Sequence, residues 1–134
     1  MERGEEGSVE HFRWLYAASS VAGPVEERWH EELVLRQSPD VPGTVGTFEG
    51  HEGLRAVQQE LRESYDGIVW DPIEVRDLGE GRYAVRVRVS GVGRGSGIAL
   101  ADELGHLVEL RDGKVYRLDV FMDFDDALKA AGVS

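Results

Sequence analysis

Two ionisable side chains able to share a proton, His106 and Asp119, stand equidistant from an Asp112-Gly113 pair. Asp-Gly between alternating apolar residues is a strong signal for a two-residue hairpin turn. Such a turn sets Leu110 opposite Val115, Val108 opposite Arg117, His106 opposite Asp119 and Leu104 opposite Phe121. A carboxylate beside an imidazole holds one tautomer and raises the basicity of the outer nitrogen. That is the equipment of a general base, which could take a proton next to a carbonyl or activate water. The plain alternative is a buried structural pair, or two groups reaching solvent at a sheet edge.

Other side chains could complete a pocket around this pair. Trp14 and Tyr16 fall on a first helix and are candidates for the wall, although the helical stripe already explains Tyr16 as core. Trp70 and Phe121 could stack on a flat ligand, and large aromatics also pack without one. Tyr83, Val85 and Val87 share the expected inner face. Arg117 falls there too, either to meet an anionic ligand group or to snorkel outward from the strand end. The histidines at positions 11, 30, 51 and 106 show no metal-ligand spacing, so no metal and no cofactor are implied. Gly93-Arg94-Gly95-Ser96-Gly97 lacks the strand-to-helix context and the Lys-Ser/Thr ending of a phosphate loop and reads as a hairpin.

The positioning elements follow from periodicity. Residues 1–7 read as a solvated tail and 8–134 as one domain. Ser8 caps a first helix on which Val9, Phe12, Tyr16 and Ser19 fall at helical spacing. Gly23-Pro24 ends it and opens a second helix carrying Val25, Trp29 and Leu33. A Pro/Gly/Ser/Thr-rich stretch has room for one short extended piece at 45–48. A third helix then aligns Leu54, Val57, Leu61 and Tyr65.

Beyond Gly67 the pattern changes to alternation, giving four strand-like segments. A turn at Gly95-Ser96 pairs Val87 with Leu104 and Val85 with His106, and a Gly79-Glu80-Gly81 loop pairs Val75 with Val85. These registers agree about the faces. One face collects Ile73, Val75, Tyr83, Val85, Val87, Val89, Leu104, Val108, Leu110, Val115 and Phe121. The other pairs Glu74 with Arg86, Arg88 with Glu103 and Arg82 with Glu109. Asp123 or Asp125 caps a last short helix over 126–131, ended by Gly132. Tyr116, Leu118, Val120 and Met122 fall on the charged face, a patch suited to a homodimer.

Bulk properties narrow the classes. At 134 residues the chain fits one domain. A net charge of -11 would repel phosphate backbones, so nucleic acid is not an expected partner. The absence of cysteine excludes disulfides and thiol catalysis. No apolar run approaches the roughly 20 residues that span a membrane. The charged N-terminus has no signal-like apolar segment, so a cytoplasmic location is the expectation.

Four stretches resemble the SnoaL-like group of the nuclear-transport-factor-2-like superfamily, in the same order along the chain. Phe48-Glu49-Gly50-His51-Glu52-Gly53-Leu54-Arg55 resembles the approach to its third helix, and Gly93 to Gly97 its central hairpin. Arg111-Asp112-Gly113-Lys114-Val115 resembles its last hairpin, and Ala127-Leu128-Lys129-Ala130-Ala131-Gly132 the end of its tail. The resemblance covers roughly residues 8–132. It implies an α+β fold in which a cone-shaped, curved antiparallel sheet is packed by three N-terminal helices, with a short helix at the end. It also implies a pocket for a small apolar ligand, catalytic polar residues on the last two strands, and a role for a helix tyrosine such as Tyr16 in holding an oxyanion. The His51 wording recurs across activities and so implies a structural turn.

Relatives of this kind include isomerases, cyclases, dehydratases, epoxide hydrolases and non-catalytic modules, and fold alone does not choose among them. Two readings therefore stand. One is a cofactor-free acid/base isomerase, cyclase or hydrolase acting on an apolar carbonyl-type or epoxide substrate. The other is a non-catalytic ligand-binding or dimeric accessory module.

Overall fold

Turns that need left-handed backbone set the sheet. Asp112 and Gly113 have φ of 55° and 74°, the two positive values that a tight hairpin turn of matching twist requires. The computed structural model describes residues 5–17, 27–37 and 46–133. The described elements run α1 (Val9–Ala17), β1 (Trp29–Gln37), β2 (Gly46–Glu49), α2 (Gly50–Ser64), β3 (Tyr65–Gly79), β4 (Arg82–Gly93), β5 (Ala99–Arg111), β6 (Lys114–Phe121) and α3 (Phe124–Ala130). The strands make one curved six-stranded sheet in the order β2-β1-β6-β5-β4-β3. All neighbours are antiparallel except β1 and β6, which run parallel.

The β3–β4 and β4–β5 registers are those the turns imply. Val75 faces Val85, Glu74 faces Arg86, Val85 faces His106 and Arg88 faces Glu103. The inner face carries Tyr83, Val85, Val87, Val89, Val108, Leu110 and Val115, all buried. Two helices cover it. The Ser8 hydroxyl accepts the His11 amide at 3.0 Å and starts α1, which sets Phe12, Leu15 and Tyr16 in the core. On α2 the stripe Leu54, Val57 and Gln58 is buried against the sheet. His51 bonds through Nε2 to the Trp29 carbonyl at 2.6 Å, tying the start of α2 to β1. It is thus a structural turn, as the resemblance implies.

On the opposite face, α3 begins with Asp123 capping the Asp126 amide at 2.8 Å. Its Phe124 lies under the Arg86 guanidinium, 4.7 Å from the ring centroid. Gly105 on β5 makes room for this helix start. A Cβ there would overlap the Asp123 carbonyl and stand 2.8 Å from the Phe124 Cα. Among the described residues, no helix is long and apolar enough to cross a membrane.

Two expectations are corrected. The second helix proposed for Val25, Trp29 and Leu33 is, from Trp29 onward, strand β1. A spacing of four satisfies a period of two as well as one of 3.6, and the burial of Trp29, Leu33 and Leu35 shows the period of two. Ser19, Gly23, Pro24 and Val25 lie outside the described residues, as does Val45; the short extended piece appears as β2.

The second correction concerns β6. Leu110 faces Val115 as expected, but Glu109 then faces Arg117 and His106 faces Val120, so the register slips by one residue at a bulge. Every side chain beyond it changes face. Leu118 is fully buried and Val120 is 5% exposed, while Arg117, Asp119 and Phe121 turn to the α3 side. The alternative would expose Leu118 and Val120, each worth roughly 1.5–3 kcal/mol when buried, and would desolvate Arg117 and Asp119. The self-association patch that included Leu118 and Val120 is therefore not formed, because both side chains are core.

Candidate active site

The geometry replaces the expected His106–Asp119 pair with another. Asp119 lies opposite Leu107, on the outer face, and accepts two hydrogen bonds from Arg36, at 2.7 Å from Nε and 3.1 Å from Nη2. It has no part in a dyad with His106. His106 points inward between Val85 and Val120 and is 1% exposed. Its Nδ1 lies 2.8 Å from the hydroxyl of Tyr16, which is 2% exposed. The partner of the histidine thus comes from α1, not from the neighbouring strand.

Burial governs the chemistry of this pair. Desolvation lowers the His106 pKa to about 3 and raises that of Tyr16 well above its ordinary value, so both are neutral across the physiological range. A phenol O–H is a stronger donor than a neutral imidazole N–H, and an imidazole nitrogen is a stronger acceptor than a phenol oxygen. Tyr16 therefore donates to Nδ1, and the ring hydrogen sits on Nε2. That N–H is buried and has no hydrogen-bond partner among the described residues. A neutral imidazole held this way is a hydrogen-bond donor. It suits the oxygen of a carbonyl, including one on which negative charge develops, better than the removal of a proton.

Aromatic rings box the pair. Trp70 stands edge-on to His106 at 5.7 Å and to Tyr16 at 6.5 Å, and Trp29 lies 6.1 Å from Tyr16. Trp29 is held by its indole N–H, which donates to the Leu15 carbonyl at 3.2 Å. Beyond Trp70 a cleft of about 130 Å³ lies between α2 and the inner face. It is lined by Val57 and Leu61 of α2, Leu35 and Gln37 of β1, and Tyr65, Ile68 and Trp70 of β3. Val89, Asp102, Leu104 and Val120 complete it from β4, β5 and β6. Val120, which pairs with His106, and Trp70, which stands edge-on to it, both line the cleft, so the histidine adjoins two of its wall residues.

Of the residues singled out from sequence, the structure joins His106, Tyr16 and Trp70. Val85 and Val87 are on the expected face but fully packed in the core. Tyr83 is buried against Phe12, with ring centroids 5.3 Å apart. Trp14 stacks on His11 and lies under Arg28, 4.1 Å from its guanidinium, and does not line the cleft. Arg117 and Asp119 line a shallow depression on the other face with Arg36 and Arg82, and Phe121 lies nearby on that face. The bulge accounts for all three displacements. Asp102 went unnoticed in the sequence. The β4–β5 register would have found it, because Asp102 faces Val89 and shares the even-numbered face of His106. Among the described residues, no group of three or more His, Cys, Asp or Glu could hold a metal.

No protein-family model matches the chain, and no curated protein is significantly similar to it. Solved structures do match its fold. A nuclear-transport-factor-2-like protein of Burkholderia thailandensis has a TM-score of 0.69 at 22% identity, over 90% of this chain and 95% of that one. A Jannaschia protein named for its likeness to SnoaL-like polyketide cyclases has a TM-score of 0.67 at 17% identity, over 97% and 96%. A Catenulispora acidiphila protein with a ketosteroid-isomerase-like fold, in complex with trimethylamine, has a TM-score of 0.67 at 10% identity, over 91% and 93%. The chain has the nuclear-transport-factor-2-like fold.

Proposed function

We propose that the chain takes a small, mostly apolar molecule bearing a carbonyl-type oxygen into the cleft between α2 and the sheet, with His106 as its polar anchor. The observation that carries this reading is the buried His106 N–H, backed by Tyr16, unpaired among the described residues and adjoining the Trp70 and Val120 walls of an apolar cleft. An unpaired buried donor costs about 1–3 kcal/mol, which a ligand oxygen would recover. The lining favours an apolar body with few polar groups. The cleft resembles in size the roughly 150 Å³ cavities that admit a single aromatic ring.

As an enzyme, such a site would run cofactor-free isomerase or cyclase chemistry, with the Tyr16–His106 pair stabilising an enolate-like oxygen. The fold is compatible with both activities, and it also serves as a non-catalytic container. Binding without turnover is favoured by the burial of His106, which desolvates its ring and lowers its basicity. An imidazole that protonates only at about pH 3 is a poor base.

The test is NMR of ¹⁵N-histidine-labelled protein titrated with acetophenone, together with native mass spectrometry for a co-purified organic molecule. Saturable movement of the His106 Nε2 resonance supports the reading. A ketone that never perturbs His106 sinks it.

A further inference from the structure

We propose that Trp70 is a movable wall between the cleft and His106, so that its displacement decides which ligands reach the buried N–H. This rests on the reading of His106 as a donor to a ligand oxygen. The same indole both lines the cleft and stands edge-on to the imidazole at 5.7 Å. A ligand filling the cleft contacts the Trp70 ring. On this proposal it reaches Nε2 only by moving that ring.

The backbone beneath Trp70 suits such a movement. Among the described residues β3 is an edge strand, bonded within the sheet only to β4. Its register with β4 shifts between Asp66 and Val69 and again between Pro72 and Glu74. The segment that carries Trp70 is therefore a short paired stretch isolated by two irregularities, and it includes a proline that lacks a backbone donor. On its far side Arg13 of α1 holds it, donating from Nε to Asp71 at 3.0 Å and to the Pro72 carbonyl at 3.2 Å. α1 thus holds the imidazole through Tyr16 and the wall through Arg13. The proposal requires only this stretch of β3 to shift while the central strands that carry His106 stay in place.

A rigid ring at this place also sorts ligands. One that only fills the cleft gains apolar contacts. One with an oxygen at its leading end gains a hydrogen bond that offsets the displacement of the indole. The substrate class is therefore a molecule with a terminal carbonyl on an apolar body, and a bare hydrocarbon of equal size should stop at Trp70.

The experiment compares wild type, Trp70→Phe, Trp70→Ala and the control Val92→Ala, at an exposed position outside the cleft. The readouts are exchange of the His106 Nε2 hydrogen with water and the response of that nitrogen to acetophenone and to toluene. The proposal expects exchange to quicken at least tenfold in Trp70→Ala, less in Trp70→Phe, and to stay within twofold in Val92→Ala. It expects acetophenone to move His106 with roughly tenfold higher affinity in Trp70→Ala than in wild type, and toluene to perturb cleft methyls in wild type without moving His106. Equal exchange and equal acetophenone affinity in wild type and both Trp70 variants would overturn the wall while leaving His106 as the anchor. Acetophenone binding that leaves His106 unmoved in every variant overturns the anchor, and the wall with it. Should Trp70→Ala fail to fold, Trp70→Phe carries the same comparison with smaller changes.

Discussion

Tyr16 and His106, from α1 and β5, meet at 2.8 Å in a site where both are almost wholly buried. Tyr16 gives the buried His106 Nδ1 a partner, and a buried polar atom without one costs about 1–3 kcal/mol. Tyr16→Phe leaves the His106 Nδ1 unpaired while keeping the ring. The expected loss is about 1–3 kcal/mol in urea unfolding. Imidazole ¹⁵N shifts should also move from the Nε2–H pattern towards a mixture of tautomers. A wild-type spectrum of the Nδ1–H form would overturn the assignment of Tyr16 as donor.

The lowered His106 pKa fixes the sign of a pH dependence. The unfolded chain takes up a proton at about pH 6.5, whereas the folded site resists it until about pH 3. Between these values the unfolded state holds the extra proton, so stability falls as pH falls, by up to about 1.4 kcal/mol per unit. The contribution is fully present above pH 6.5. Wild type minus His106→Gln, compared by denaturant titration from pH 7 to pH 5, isolates it from the carboxylates. A difference independent of pH would mean that His106 titrates normally in the folded state.

Asp119→Asn should be nearly silent. Its carboxylate is held by Arg36 on the outer face, where the arginine side chain is 56% exposed, and such pairs contribute about 0–1 kcal/mol. The His106 resonances should not change. A shifted His106 titration in this variant would restore the dyad that the bulge removes.

Gly105→Ala tests the junction of sheet and last helix. The added methyl would overlap the Asp123 carbonyl, which belongs to backbone and cannot swing aside. Overpacking of this kind costs about 1–3 kcal/mol, and the upper end is expected. Gly132→Ala, where no atom lies within 4 Å, bears only the strain of a positive φ of 82°. If Gly105→Ala proves as stable as wild type by thermal unfolding, α3 does not sit where it is described.

The central strands were legible because their turns are. Gly79-Glu80-Gly81 and Gly95-Ser96 pin registers that carry Val85, Val87 and His106 to the inner face. β1 was misread because Trp29 and Leu33 satisfy two periods at once. β6 was misread for a different reason. The turn fixes only where a hairpin starts, and a single bulge after Val115 costs less than burying Arg117 and Asp119. The sequence carried a trace of it, since the apolar positions change parity from Val115 to Leu118 and Val120. The pairing of Tyr16 with His106 had no local signal, because it depends on how α1 lies across the sheet.

The parallel pairing of β1 with β6 bears on the order in which the molecule assembles. β3 to β6 are joined by short turns and can zip up from neighbours, whereas β1 reaches β6 only by closing a loop of on the order of 80 residues. β1 brings Leu35 and Gln37 to the cleft, and α1, still earlier in the chain, brings Tyr16. A four-stranded meander with a wet, ordinarily titrating His106 is therefore the expected early species in refolding. Pulsed hydrogen exchange should protect β4 and β5 amides before those of β1, with dehydration of the histidine as the last event.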